Sequence, residues 1–166
     1  MNSNESTGNI PPWNKVYQLE ELESWIFPGP SLAVLGHPIS HSLSPVIHNA
    51  ALERMGERFS GWIYYAFDVP VERLGEGLSY FHEKNFVGLN LTIPHKVEAL
   101  GLITDVDPVA RRMGAVNTLI RRENGYFGRN TDGYGIQNAL KEELGVDLSG
   151  VDVIILGAGG ASRATV

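Results

Sequence analysis

A chain of 166 residues can bury one sizeable core and the beginning of a second domain but not two complete ones. Its 43% hydrophobic and 19% charged residues, with no long low-complexity tract, exclude a disordered or membrane class and mark an ordinary globular composition. Thirteen Lys and Arg against nineteen Asp and Glu leave a net charge of −6 without a basic block to track a phosphate backbone, which argues against nucleic acid as a partner.

The lack of cysteine excludes a disulfide framework, thiolate catalysis and thiolate metal sites, and suits a reducing cytoplasm. The opening "MNSNESTGNIPPW" carries an acidic residue and lacks the basic start and apolar run of an export signal. No apolar stretch approaches the ~20 residues needed to cross a bilayer. A soluble, cytoplasmic protein with no membrane partner is expected.

In chain order, residues 1–15 read as a flexible tail. In "VYQLEELESWI", Leu19, Leu22, Trp25 and Ile26 recur at helical spacing and predict a helix, which "FPGP" stops. "SLAVLG" then has the run of a buried strand, "SPVIHNAALERMG" of a helix, "GWIYYAFDV" of a second strand, "VERLGEGLSYFHEKN" of a helix and "FVGLNLTI" of a third strand. Strand, helix, strand, helix, strand predicts an α/β fold, an open and mainly parallel sheet flanked by helices. "PHKVEALGLI" reads as a short helix and "AVNTLIRRENGYFG" as two strands around a turn at "ENG". "GIQNALKEELG" predicts a helix with Ile136, Leu140 and Leu144 on one face. "VDVIILGAGGASRATV" reads as a buried strand, a glycine-rich turn and the first turn of a helix, the truncated start of a Rossmann-like domain whose covering half is absent from the sequence. The expected organisation is a tail and extra helix over 1–30, one α/β domain over 31–150, and the incomplete second domain over 151–166.

Chemistry-bearing residues gather at the predicted strand ends and loops, where ligands collect in open α/β sheets. Ser42 and Ser44 in "GHPISHSLSPVIHN" lie two apart, so an extended loop would point both hydroxyls the same way to hold one anionic group; equally, Ser44 before Pro45 is a helix start with a serine cap. His37, His41 and His48 match no metal-ligand spacing, and no metal is expected. In "GLNLTIPHK", Asn90 and Thr92 alternate onto one face of the third strand while Leu89, Leu91 and Ile93 take the other. Pro94 ends that strand and starts a helix, which puts Lys96 in the first turn, where the helix dipole disfavours a cation. Lys96 is then either a solvated amine or one presented to a substrate. "GAVNTL" adds Asn117 beside Thr118, and "NTDGYG" adds Asn130, Thr131 and Asp132, the last either a helix cap or a partner for Lys96. Taken together, Ser42, Ser44, Asn90, Thr92, Lys96, Asn117 and Asp132 suit a small polyhydroxylated acid. Gly157 and Gly159 of "GAGGAS" fit a tight turn under a pyrophosphate, with a plain strand-to-helix turn as the alternative.

These stretches, "VLGHPISHSLSPVIHNAAL", "GLNLTIPHK", "GAVNTL", "GRNTDGYG" and "GAGGASRA", in this order over residues 32–164, closely resemble the shikimate dehydrogenase family. The resemblance implies an amino-terminal substrate domain and a carboxy-terminal NADP domain around a cleft, reducing 3-dehydroshikimate to shikimate with NADPH in aromatic amino-acid biosynthesis. It further implies that Ser42 and Ser44 hold the substrate carboxylate, that Asn90, Thr92, Asn117 and Asp132 contact ring hydroxyls, and that Lys96 is catalytic with Asp132 as partner. Gly157, Ala158, Gly159, Gly160, Ala161 and Ser162 correspond to the phosphate-binding turn. The motif that reads the NADP phosphate and a late substrate-site glutamine are absent from these residues, so the chain by itself is expected not to turn over. A quinate/shikimate dehydrogenase using NAD, a non-catalytic module binding shikimate-like acids, and a metal-dependent hydrolase built on the histidines are the competing readings. A monomer and a homodimer both stay open.

Overall fold

A computed structural model describes residues 10–26 and 29–164. Its centre is a seven-stranded sheet made of β1 (Val16–Gln18), β2 (Ser31–Gly36), β3 (Ile63–Asp68), β4 (Gly88–Leu91), β5 (Asp105–Val106), β6 (Thr118–Arg122) and β7 (Gly125–Arg129). The spatial order is β1-β3-β2-β4-β6-β7-β5. The pairs among β1, β2, β3 and β4 are parallel, as is β5 on β7, while β6 runs antiparallel to both β4 and β7. The fold is therefore the expected mostly parallel α/β sheet, with the hairpin at Glu123 and Asn124 supplying one of its two antiparallel pairs and β4 with β6 the other.

The crossovers are α1 (Ser44–Arg54) after β2, α2 (Leu74–Glu83) after β3 and α3 (His95–Leu102) after β4. Period-two alternation splits the strands between two faces. Tyr65 and Phe67 of β3, Ala33 and Leu35 of β2, and Leu89 and Leu91 of β4 point into the larger core with Phe81 and Phe86. Val34, Tyr64 and Ala66 point to the opposite face, where Ile39 and Leu52 join them. Edge-on aromatic contacts bind the larger core, with Phe81 centroids 4.8 Å from both Phe67 and Phe86.

Three further helices complete the fold: the short α4 (Pro108–Met113) and, after the sheet, the longer α5 (Asp132–Leu144) followed by the single turn α6 (Gly160–Arg163). Asp107 caps α4 by accepting the Val109 and Ala110 amides, with Pro108 in the first turn.

The helix expected over "VYQLEELESWI" is not formed. Val16–Gln18 instead adds an edge strand to β3, and Leu19–Leu22 closes one 3₁₀ turn. The i, i+3 spacing of Leu19, Leu22 and Trp25 is met by that tight turn, which buries all three, while Ile26 stays exposed. Tyr17 lies edge-on to Trp25 at 5.0 Å, so the segment covers an end of the aromatic core. The expected tail over 1–15 lies outside the described residues for its first nine positions, as do Phe27 and Pro28 of the stop signal.

The predicted buried strand in "VDVIIL" is also absent. Residues 151–158 pair with no strand among the described residues, and Ile154 and Leu156 are 90% and 94% exposed. A strand needs a neighbour to take its N–H and C=O groups; here none is provided. The predicted helix over "GIQNALKEELG" forms as α5 but begins three residues earlier, at Asp132; none of its residues is buried, and the Ile136 and Leu144 face looks outward.

Candidate active site

The carboxyl ends of β2, β3 and β4 open on one rim. Gly36 ends β2 there, and its lack of a side chain is required: a Cβ would come 2.6 Å from Thr92 Cγ2 and 2.8 Å from Ile39 Cδ1. The loop from β2 to α1 turns through Ile39, whose carbonyl accepts the Ser42 amide at 3.0 Å. Ser42 Oγ in turn accepts the Ser44 amide at 3.3 Å. Ser44 is the first residue of α1, and Leu43, whose side chain makes no capping bond, takes the cap position. The capping alternative for Ser44 is thus overturned; Ser42 does part of that work. Ser42, Ser44 and Thr92 line a cavity of about 390 Å³ together with His37, His41 and Ile39. A larger hollow of about 920 Å³ sits at the opposite end of the sheet, between α2 and the β6–β7 turn, and holds none of the expected site residues.

Lys96 is the second residue of α3, which starts after Pro94 as expected. Its carbonyl accepts the Val116 amide at 2.7 Å, tying the helix to the segment that carries Asn117. Lys96 Nζ donates to Asp132 Oδ2 at 2.7 Å, with side chains 16% and 26% exposed, so the pair is shielded yet reachable. The other carboxylate oxygen, Oδ1, accepts from Asn117 Nδ2 at 2.7 Å. Asp132 does not cap α5: Thr131 holds the cap position, and Asn130 Oδ1 accepts the Asp132 amide at 2.9 Å. Its carboxylate is thereby left for Lys96 and Asn117.

Asn117 is held on both sides. Its Oδ1 accepts the Thr131 amide at 3.0 Å and the Thr118 hydroxyl at 2.9 Å. Asn90 shares the β4 face with Val34 and Thr118, its register partners on β2 and β6. It donates from Nδ2 to Thr118 Oγ1 at 3.3 Å. On the other strand face Leu89 and Leu91 are buried as expected, but Ile93 is 73% exposed because the strand ends at Leu91. Asn90, Lys96, Asn117 and Asp132 therefore belong to one hydrogen-bonded group, and Ser42, Ser44 and Thr92 line the cavity together.

The glycine turn comes close to the first group. Gly160, the first residue of α6, lies against the Lys96 stem so closely that a Cβ would stand 2.8 Å from Lys96 Cβ. Gly157 has φ of +126°, Ala158 and Gly159 are exposed, Ala161 follows Gly160 in the single turn of α6, and Ser162 Oγ donates to the Gly159 carbonyl at 2.8 Å.

Sequence reasoning missed two residues here. Tyr64 donates its hydroxyl to Asn90 Oδ1 at 2.7 Å, and Asn49 of α1 bridges to the Tyr64 backbone in both directions at 2.8 and 2.9 Å. Both lie far along the chain from Asn90, and only strand pairing brings them near. His37 meets Asp68 at the end of β3, and His48 stacks on Tyr64 with centroids 4.3 Å apart. No group of three His, Asp or Glu suited to a metal occurs among the described residues.

Comparison with known proteins agrees with this architecture. Residues 34–119, more than half of the chain, match the shikimate dehydrogenase substrate binding domain. The chain is 44% identical over 137 residues to a shikimate dehydrogenase (NADP(+)) of Symbiobacterium thermophilum, covering 82% of this chain and 45% of that protein. Among solved structures, a shikimate dehydrogenase in complex with NADP+ matches with a TM-score of 0.76 at 40% identity, over 82% of this chain and 46% of that one. Shikimate 5-dehydrogenase from Thermus thermophilus in complex with shikimate matches with a TM-score of 0.74 at 45% identity, over 82% and 50%. The chain spans about half the length of these relatives. With the strand order, the rim and these likenesses in agreement, the chain belongs to the shikimate dehydrogenase substrate binding domain family.

Proposed function

We propose that this chain is the substrate-binding part of an NADP-linked shikimate dehydrogenase, acting in the reversible reduction of 3-dehydroshikimate to shikimate in aromatic amino-acid biosynthesis. In this reading residues 31–150 bind substrate and residues from 151 onward begin the cofactor unit. The carrying observation is the Lys96–Asp132 pair at 2.7 Å, fixed by Asn117 at the strand-end rim. The relatives' names carry NADP(+), which favours that cofactor over NAD. The proposed compartment is the cytoplasm, in keeping with the lack of cysteine; no helix among the described residues is long and apolar enough to cross a membrane.

The Ser42 and Ser44 hydroxyls would hold the ring carboxylate in the cavity they line, while Asn90, Thr92, Asn117 and Asp132 address the ring hydroxyls. Gly157 to Ser162 suit a pyrophosphate, with small side chains, backbone amides and no carboxylate among them. Bound NADPH would supply the hydride. As charge grows on the ketone oxygen, the Lys96 ammonium stabilises it and transfers a proton to it; in the reverse direction Lys96 accepts that proton. Asp132 keeps the ammonium aimed, and Asn117 keeps Asp132 from turning away.

Titrating shikimate while following thermal unfolding tests the reading, because a ligand that binds only the folded chain raises its midpoint with concentration. A concentration-dependent rise that weakens about tenfold in Lys96→Ala and in Ser42→Ala is expected. No rise at millimolar shikimate would remove the proposal.

A further inference from the structure

We propose that Tyr64 is a positioning residue of this site, acting through Asn90. The hydrogen bonds run in one direction. Tyr64 Oη donates to Asn90 Oδ1 at 2.7 Å; Asn90 Nδ2 donates to Thr118 Oγ1 at 3.3 Å; Thr118 Oγ1 donates to Asn117 Oδ1 at 2.9 Å; and Asn117 Nδ2 donates to Asp132 Oδ1 at 2.7 Å. Lys96 meets the same carboxylate from the other side.

The direction is dictated chemically at both ends. The Asn117 carbonyl, which can only accept, lies 3.4 Å from Asn90 Nδ2, so the Asn90 amide must turn its nitrogen there and its oxygen to Tyr64. Asn117 Oδ1 faces the Thr131 amide, which can only donate, so its nitrogen must face Asp132. Tyr64 is therefore obliged to donate. Burial raises its phenol far above the ordinary range, so the proton stays on the oxygen at any physiological pH.

Tyr64 is itself held firmly. Asn49 takes its backbone N–H and C=O, and the His48 ring stacks on its face with 14° between planes. Both residues belong to α1, the helix that begins at Ser44. One structural chain thus joins the serine pair to the lysine and aspartate pair: α1 holds Tyr64 by its backbone and ring, and the Tyr64 hydroxyl passes the link on to the strand polar groups. Removing the hydroxyl takes from Asn90 Oδ1 its donor and leaves the amide held only by the two long bonds from Nδ2, at 3.4 and 3.3 Å, so the orientation of the group proposed to meet a substrate hydroxyl is loosened.

The inference rests on the proposed substrate for its affinity arm and on the chain alone for its spectroscopic arm. In Tyr64→Phe, which keeps the ring and its stacking, shikimate affinity is expected to fall about three- to tenfold with little change in unfolding midpoint. In an Asn90→Ala background the same substitution is expected to cost nothing further, as it acts through Asn90. The side-chain amide resonances of Asn90 and Asn117 in nitrogen-edited NMR should both shift in Tyr64→Phe without ligand. An unchanged affinity, a full loss persisting in Asn90→Ala, or unmoved amide resonances would each overturn the role. If the unaltered chain binds no shikimate, the proposed function fails and the amide resonances still decide for or against Tyr64. Should Tyr64→Phe not fold, the unaltered chain answers: a Tyr64 hydroxyl proton protected from exchange is expected, and one in free exchange overturns the link.

Discussion

The sheet from β2 to β7 and the segment 151–158 are both rich in β-forming residues, yet only the first is built into a ladder. In "SLAVLG" every residue has a partner on β3 and Leu32 to Leu35 have one on β4 as well, and Ala33 and Leu35 are fully buried. In "VDVIIL" the same residue types run through solvent with Ile154 and Leu156 almost wholly exposed. A helix closes its hydrogen bonds within itself, whereas a strand is defined by what lies beside it. The catalytic candidates follow the same division: Lys96, Asn117 and Asp132 are locked by one another, and the glycine turn meets them where Gly160 lies against Lys96.

That contrast can be broken most severely in the core. Phe81→Ala removes a ring packed edge-on between Phe67 and Phe86 and should destabilise the chain by about 3–5 kcal/mol, read as a lowered midpoint in denaturant unfolding; a loss below about 1 kcal/mol would deny that the cluster carries the fold. Acid should act next. His95 is fully buried beside Lys96, and that burial, the largest cause, lowers its pKa. The unfolded chain then binds more protons, so the contribution is whole above the ordinary value of about 6.5 and is lost as pH falls from there toward the lowered folded value, at up to about 1.4 kcal/mol per pH unit. Stability measured between pH 7 and 5 should decline, and His95→Asn should flatten that slope.

A smaller effect is expected where the two regions touch. Gly160→Ala must push the added methyl against the Lys96 stem, costing about 1 kcal/mol or less if the short α6 turn yields; shikimate affinity should drop a few-fold, while Gly159→Ala, whose Cβ would meet nothing within 4 Å, leaves it unchanged. Equal effects of the two would show that the contact does not matter to the site. Smallest of all, Ile154→Ala should move stability by no more than about 0.5 kcal/mol. A larger loss, again by denaturant unfolding, would mean that 151–158 is packed after all.

Local pattern carried much of the reading because helices and buried strands advertise themselves along the chain. The alternation from "SLAVLG" to "FVGLNLTI", the "ENG" hairpin and the α3 start at Pro94 were all legible, since each depends on neighbours within a few positions. "VYQLEELESWI" misled because apolar residues three apart suit both an α-helix and a 3₁₀ turn, and only the free edge of β3 decides that Val16–Gln18 pairs as a strand. Asn90, Lys96, Asn117 and Asp132 were legible as residue types at strand ends, while Tyr64 and Asn49 were not. A tyrosine on an apolar strand face looks like core until the register brings an amide within reach.

By itself, then, the order of residues determined the α/β class, the starts of α1 and α3 and which polar groups stand at the ends of strands, because those features follow from steric and hydrophobic periodicity over short spans. Tertiary structure alone decided that β6 pairs antiparallel with β4, that Lys96 and Asp132 meet at 2.7 Å across 36 positions, and that the hydrogen bonds point from Tyr64 toward the carboxylate. Those are relations between distant segments, and a hydrogen bond acquires its partner and direction only when the ladder sets the distance.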